Sequence, residues 1–128
     1  MSNPPTPLFT RMSQIAIASE DPAKLVAFYR DVLGFRHAFE TAGMHFLDIG
    51  GTMLMIGPKY PQMSIGGDAT FYFEPTAWGA AEAALEKADV AFLNPTIVLQ
   101  KAEGRELALR AFKDPEGHTL AMFGWRAA

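Results

Sequence analysis

The feature that most constrains this chain is that it spells one pattern twice. A strand, a helix and three strands occupy residues 12–56, and the same order returns across residues 68–123. Each pass takes about 55 residues. A unit of that size has one small sheet and one helix, and its helix covers only one sheet face. Two such units placed together leave their other faces to enclose a hollow. A plain ferredoxin-like α+β domain is the simpler alternative, and the repeat argues against it.

In the first pass, residues 12–19 alternate: Ile15 and Ile17 point one way, and Gln14, Ala16 and Ala18 the other. Asp21 is a good helix N-cap and Pro22 suits the first helical position. Leu25, Phe28, Tyr29, Val32 and Leu33 then form one apolar stripe, and Gly34 can take the left-handed C-terminal cap. Strands are expected over Phe35–Thr41, Met44–Ile49 and Thr52–Ile56, the last two joined at Gly50-Gly51. A tight turn there places Ile49 opposite Thr52, Asp48 opposite Met53 and Phe46 opposite Met55.

In the second pass, Asp68–Glu74 reads as a strand. Thr76 can cap a helix to about Ala88, with Ala77, Ala81, Ala84, Leu85 and Ala88 on one face. Strands are expected at Val90–Phe92, Glu106–Phe112 and Thr119–Phe123. Asp114-Pro115-Glu116-Gly117 has the residue order of a type I turn closed by a glycine bulge. That turn sets Ala111 opposite Ala121 and Leu109 opposite Phe123.

A chain of 128 residues, 49% hydrophobic and 20% charged, has the makings of one globular domain. The domain is expected over residues 11–126, as modules 11–57 and 68–126 joined by a linker at 58–67. Residues 1–10, rich in proline, read as a flexible lead-in without a signal peptide. No apolar run reaches the ~18 residues of a membrane span. A net charge of −3 with no basic block argues against nucleic acid. The absence of cysteine removes disulfides, thiolate metal sites and cysteine nucleophiles. These features fit a cytoplasmic protein with no membrane partner.

The stretch Asp21-Pro22-Ala23-Lys24-Leu25-Val26-Ala27-Phe28-Tyr29-Arg30-Asp31-Val32-Leu33-Gly34-Phe35 resembles the first helix of the vicinal oxygen chelate superfamily. That group holds glyoxalases, extradiol dioxygenases and bleomycin-resistance proteins. Asp114-Pro115-Glu116-Gly117-His118 resembles its final hairpin. The resemblance implies an α+β fold of two βαβββ modules forming a curved mixed sheet with a concave cleft. It also implies a homodimer. The family's metal ligands are carried on paired strands of each module. Their positions fall on Gln14, on Met55, near Asp68 or Thr70, and on Ala121. A thioether at Met55 and a methyl at Ala121 stand where carboxylates are expected, so no metal and no cofactor is expected here.

The concave face then reads as apolar: Gln14, Ala16, Met44, Phe46, Asp48, Met53, Met55, Thr70, Tyr72, Leu109, Ala111, Thr119, Ala121 and Phe123. A mostly apolar cleft with a few polar groups suits a small molecule, and methionines adapt to varied shapes. Of these, Gln14, Phe46, Met53, Met55, Thr70, Tyr72, Leu109, Ala121 and Phe123 are the ligand-binding candidates. A filled core is the competing reading. Asp48 and Tyr72 are candidate catalytic groups. A buried Asp48 would have a raised pKa and could act as a base, whereas an Asp48 at the rim would be hydrated. His37, His45 and His118 are expected at the solvent edge, His45 on the helix side of its strand. Glu40, Glu103, Arg105 and Glu106 read as exposed charges, and Arg110 falls on the helix side without an evident partner.

The favoured expectation is a metal-free protein that binds a hydrophobic or aromatic small molecule. Two alternatives remain: a metal-dependent lyase or dioxygenase using Gln14, Asp68 and a histidine, and a metal-free acid–base enzyme using Asp48, Tyr72 or Glu74.

Overall fold

Asp21 caps the first helix as its position demands: its carboxylate accepts from the backbone N–H of Lys24 at 3.3 Å. In the computed structural model, which describes Leu8, residues 11–59 and residues 69–128, this helix follows strand β1 (Gln14–Ser19) and comprises α1 (Pro22–Ala27). A wider π-helical turn, Phe28–Val32, continues it, closed by Leu33 N–H donating to Phe28 O at 3.1 Å. The predicted stripe is the buried one: Leu25 and Tyr29 are sealed from solvent and Phe28 nearly so. Gly34 ends it at φ +82°, which a residue with a Cβ adopts only at a cost.

Strands β2 (Arg36–Thr41), β3 (Met44–Ile49) and β4 (Thr52–Pro58) complete the first module. The sheet order is β1-β4-β3-β2, with β1 parallel to β4 and the other pairs antiparallel. The hairpin register is the predicted one: Ile49 with Thr52, Asp48 with Met53, Phe46 with Met55. The second module follows the same plan with β5 (Thr70–Phe73), α2 (Trp78–Lys87), β6 (Ile97–Ala102), β7 (Arg105–Lys113) and β8 (Thr119–Ala127), ordered β5-β8-β7-β6. Ala111 pairs with Ala121 and Leu109 with Phe123, again as predicted. The fold is the expected α+β pair of βαβββ modules, with its strands in two separate four-stranded mixed sheets.

Four local expectations are corrected. Val90–Phe92 is not a strand: Phe92 makes a single bridge to Phe112, and the strand of that position is Ile97–Ala102. Asn94-Pro95 interrupts the chain between them, and Asn94 spends its side-chain oxygen on Ala111 N–H at 3.0 Å. Strand β6 leaves no trace in the sequence pattern because Ile97-Val98-Leu99 lies on an edge, exposed on both faces, and does not alternate. Thr76 does not cap α2; Ala77 holds that position with no side-chain bond. Ala77, Ala84 and Ala88 are exposed, and α2 turns Trp78, Ala81 and Leu85 to the core instead. The lead-in, apart from Leu8, and nearly all of the 58–67 linker lie outside the described residues, as does Asp68.

One core serves both modules. Ile17, Leu25, Phe28, Tyr29, Leu47, Leu54 and Ile56 from the first pack in the same cluster as Leu85, Phe112, Leu120 and Met122 from the second. It lies on the helix side of each sheet. Arg110 finds its partners there: Glu82 on α2 at 2.6 Å, the Asn94 carbonyl at 3.1 Å and the Phe92 ring beneath its guanidinium.

The last hairpin clasps the first module. His118 and Asp114 are buried, which corrects the solvent-edge expectation for this histidine. His118 Nδ1 lies 2.6 Å from Asp114 Oδ2, and Tyr29 donates its hydroxyl to the same oxygen at 2.7 Å. His118 Nε2 reaches the Ala18 carbonyl at 2.9 Å. Ser19 donates its hydroxyl to the Glu116 carboxylate, which also accepts from Glu20 N–H at 2.7 Å.

Candidate functional site

The face of each sheet opposite the shared core carries the residues singled out from the sequence. On the first sheet, Gln14 stands opposite Met53, Ala16 opposite Met55, and Met55 opposite Phe46. Gln14 Nε2 reaches the Met55 sulfur at 3.9 Å. Phe46 is buried beneath Phe39, the two rings stacked at 4.3 Å and 12°. On the second sheet, Thr70 stands opposite Thr119, Tyr72 opposite Ala121, and Leu109 opposite Phe123. Tyr72 and Phe123 meet edge to face at 5.5 Å.

The two registers superimpose. Met55 lies two residues beyond the partner of Gln14, and Ala121 lies two residues beyond the partner of Thr70. The same diagonal therefore joins Gln14 to Met55 and Thr70 to Ala121. This relation selects Thr70 as the counterpart of Gln14. Four equivalent points of the two sheets thus carry an amide, a thioether, a hydroxyl and a methyl. They offer no carboxylate and no imidazole to a divalent cation. Among the described residues, no three His, Cys, Asp or Glu side chains stand close enough as placed to hold a metal ion. The donor set on this face does not fit the family's metal.

Asp48 sits at the rim. It accepts from Gly51 N–H at 3.0 Å and from Arg36 at 2.9 Å, and these contacts hold its carboxyl below the usual carboxylate range. The burial that would have made it a base is absent. Tyr72 is 55% exposed on the open face of the second sheet.

The two halves of the predicted face do not meet within one chain. The core that joins the modules lies behind them, and no strand of one sheet has more than marginal contact with a strand of the other among the described residues. The second-sheet half forms a groove of about 440 Å³ lined by Tyr72, Glu74, Leu107, Phe123, Gly124 and Trp125. Leu107 and Trp125 were missed. Strand β8 continues past the predicted end at Phe123, and Trp125 is simply the next residue of its period-two row, opposite Leu107. The Arg105 guanidinium covers the Trp125 ring at 4.4 Å. Glu106 is no free charge, since Arg126 holds it at 2.8 Å. A larger hollow of about 580 Å³ lies on the helix side, between Leu33, Phe35, Phe73, Ala81, Phe112 and Met122. None of the ligand-binding candidates lines it.

No helix of the described residues is long and apolar enough to cross a membrane. Comparison with curated proteins finds no match. Among solved structures, an integron cassette protein from V. cholerae is 20% identical, with 92% of this chain and 97% of that one aligned at a TM-score of 0.76. TnmS3, an antibiotic binding protein from Streptomyces sp. CB03234, is 18% identical over 92% and 98% of the two chains at 0.73. A lactoylglutathione lyase from Agrobacterium tumefaciens is 18% identical over 91% and 95% at 0.68. These likenesses establish the fold and nothing finer. The family model of the Glyoxalase/Bleomycin resistance protein/Dioxygenase superfamily matches residues 11–122, and the chain belongs to that superfamily.

Proposed function

We propose that this protein binds a small aromatic or hydrophobic molecule without a metal ion. The observation that carries the reading is the shared diagonal. The points where the superfamily's resemblance implies ligands bear Gln14, Met55, Thr70 and Ala121, and around them stand Met53, Tyr72, Leu109, Phe123 and the exposed Phe39, which covers the buried Phe46. One structural neighbour, TnmS3, is an antibiotic binding protein, which agrees with this class of role.

The working unit in this reading is a homodimer. Each chain turns a methionine- and phenylalanine-lined face and a tyrosine- and tryptophan-lined face away from its core. A second copy would set the first-sheet face of one chain against the second-sheet face of the other and close two clefts. Exposed Phe39, Tyr72 and Trp125 would be covered in the process.

Titration with anilinonaphthalene sulfonate, read by quenching of tryptophan emission in wild type and in a Trp78→Phe background and by probe fluorescence, tests the proposal. Binding at micromolar level that is unchanged by a chelator is expected. Tyr72→Ala should weaken it about 5- to 10-fold, the worth of one aromatic contact. Affinity abolished by chelation, or near-stoichiometric metal in protein purified without added metal, would point to the enzyme instead.

A further inference from the structure

On the opposite face of the first sheet, one irregularity assembles a group of side chains unrelated to the cleft. The pairing of β2 with β3 shifts between His37 and Phe39: His37 stands opposite Leu47, Phe39 opposite Phe46, and Glu40 opposite His45. Ala38 is the extra residue of a β-bulge. Without it, positions 37 and 40 would alternate to opposite faces. With it, His37 and Glu40 share the helix-side face with Leu47 and His45, while Phe39 stays on the cleft side over Phe46. Bulges commonly re-aim side chains in this way.

The result is a pair of imidazoles at ligand spacing. His37 Nε2 and His45 Nδ1 are 3.1 Å apart, with the rings at 66° to each other. Two nitrogens bound to one Zn²⁺-type ion at ~2.0–2.1 Å stand about 2.8–3.4 Å apart for bond angles between square and tetrahedral. Glu40 Oε2 lies 3.8 Å from His45 Nδ1. That carboxylate is not yet a ligand as placed, but its side chain is 54% exposed and free to turn the remaining fraction of an ångström. The His45 side chain, 14% exposed, is held by its surroundings.

We infer that His37 and His45 form a two-imidazole binding site for a borderline transition-metal ion, Zn²⁺, Ni²⁺ or Cu²⁺, on the face remote from the cleft, with Glu40 turning in as a third donor only when the ion binds. Two imidazoles and one carboxylate are the donor set such ions prefer, and water would fill the open positions. In the free protein one facing nitrogen donates its proton to the other. Binding requires both lone pairs, so the proton on the donor's facing nitrogen must move, either to that ring's far nitrogen or to solvent.

The site is independent of the proposed function, and its test reads metal alone. Calorimetric titration of the tag-free protein with Zn²⁺ should give one site per chain. His37→Gln and His45→Gln should each weaken it at least 30-fold, and Glu40→Gln about 5- to 10-fold. Copper-loaded wild type should show superhyperfine splitting from two imidazole nitrogens in its electron paramagnetic resonance spectrum. That signature needs no variant, so a misfolded variant leaves the test intact. Unaltered binding in the His37→Gln, His45→Gln double variant, or a copper spectrum with one nitrogen or none, overturns the inference.

Discussion

The Ala18 carbonyl oxygen can only accept a hydrogen bond, so the proton between it and His118 Nε2, 2.9 Å away, belongs to the imidazole. Nδ1 faces Asp114 Oδ2 at 2.6 Å. That carboxylate already receives the Tyr29 hydroxyl and the backbone N–H groups of Glu116 and His118. So many donors favour the ionised acid, and the ring beside it is an imidazolium. The hydrogen bond that His118 donates to Asp114, working against burial, raises the His118 pKa above the ordinary imidazole value of 6.5. Burial pushes the Asp114 carboxyl up, but the bonds from His118 and Tyr29 outweigh it and leave the pKa below 3.8.

The two groups predict a plateau of stability. The His118 contribution is complete below pH 6.5 and is lost as pH rises through the raised folded value. The Asp114 contribution is complete above pH 3.8 and is lost as pH falls through the lowered folded value. Urea unfolding across the pH range should therefore show greatest stability between these limits. His118→Gln should flatten the alkaline limb and make the acid limb shallower too, because Asp114 loses the bond that does most to lower its pKa, while Tyr29 keeps part of that limb. An alkaline limb unchanged in that variant would mean another group titrates there.

Tyr29 anchors the same carboxylate from the first module. Its hydroxyl is pushed far above its ordinary range, by burial first and then by the Asp114 charge, so it remains a donor throughout. Tyr29→Phe should cost about 1.5–3 kcal/mol, the value of a hydrogen bond to a charged group. Asp114→Ala should cost about 3–5 kcal/mol, because it strands a buried imidazolium. Chemical denaturation of both variants at pH near 6 checks the ranking. Equal losses would count against the charge assignment.

How far the sequence discloses this molecule follows from where its signals are local. The Gly50-Gly51 hairpin and the Asp114–Gly117 turn fix register through turn chemistry, and both registers hold to the residue. Strand β6 carries no such signal: an exposed edge strand has no buried face to impose alternation. The Thr76 cap fails because Trp78 must reach the core, a demand the local sequence does not express. Nothing local puts His118 inside: the Ala18 carbonyl it binds is 100 residues away in the chain, and the Tyr29 hydroxyl that shares its Asp114 partner is 85 residues from that carboxylate. The first-sheet and second-sheet halves of the cleft were legible separately. Their relation was not, since it depends on which faces share the core.

Two glycines separate backbone strain from steric contact. Gly34 has φ +82° and open space around any added Cβ. Gly34→Ala should therefore cost about 1–2 kcal/mol through the backbone alone. Gly124 has an ordinary φ, and an added Cβ would stand 3.3 Å from Cγ of the exposed Glu74, which can give way. Gly124→Ala should cost less than ~1 kcal/mol. Thermal midpoints of the two variants measure the contrast, and a reversed order would place the strain elsewhere.

The proposed dimeric cleft makes a prediction that a cleft within one chain does not. Met55→Arg spoils the first-sheet half and Tyr72→Arg the second-sheet half, and neither side chain is buried, so both variants should fold. Alone, each homodimer carries the damage in both clefts. Mixed and re-equilibrated, half of the dimers are heterodimers. Each heterodimer concentrates both substitutions in one cleft and leaves the other with wild-type residues on each side. Roughly a quarter of the wild-type capacity for anilinonaphthalene sulfonate should return in a 1:1 mixture. If each cleft belonged to a single chain, mixing would restore nothing, whatever the oligomeric state.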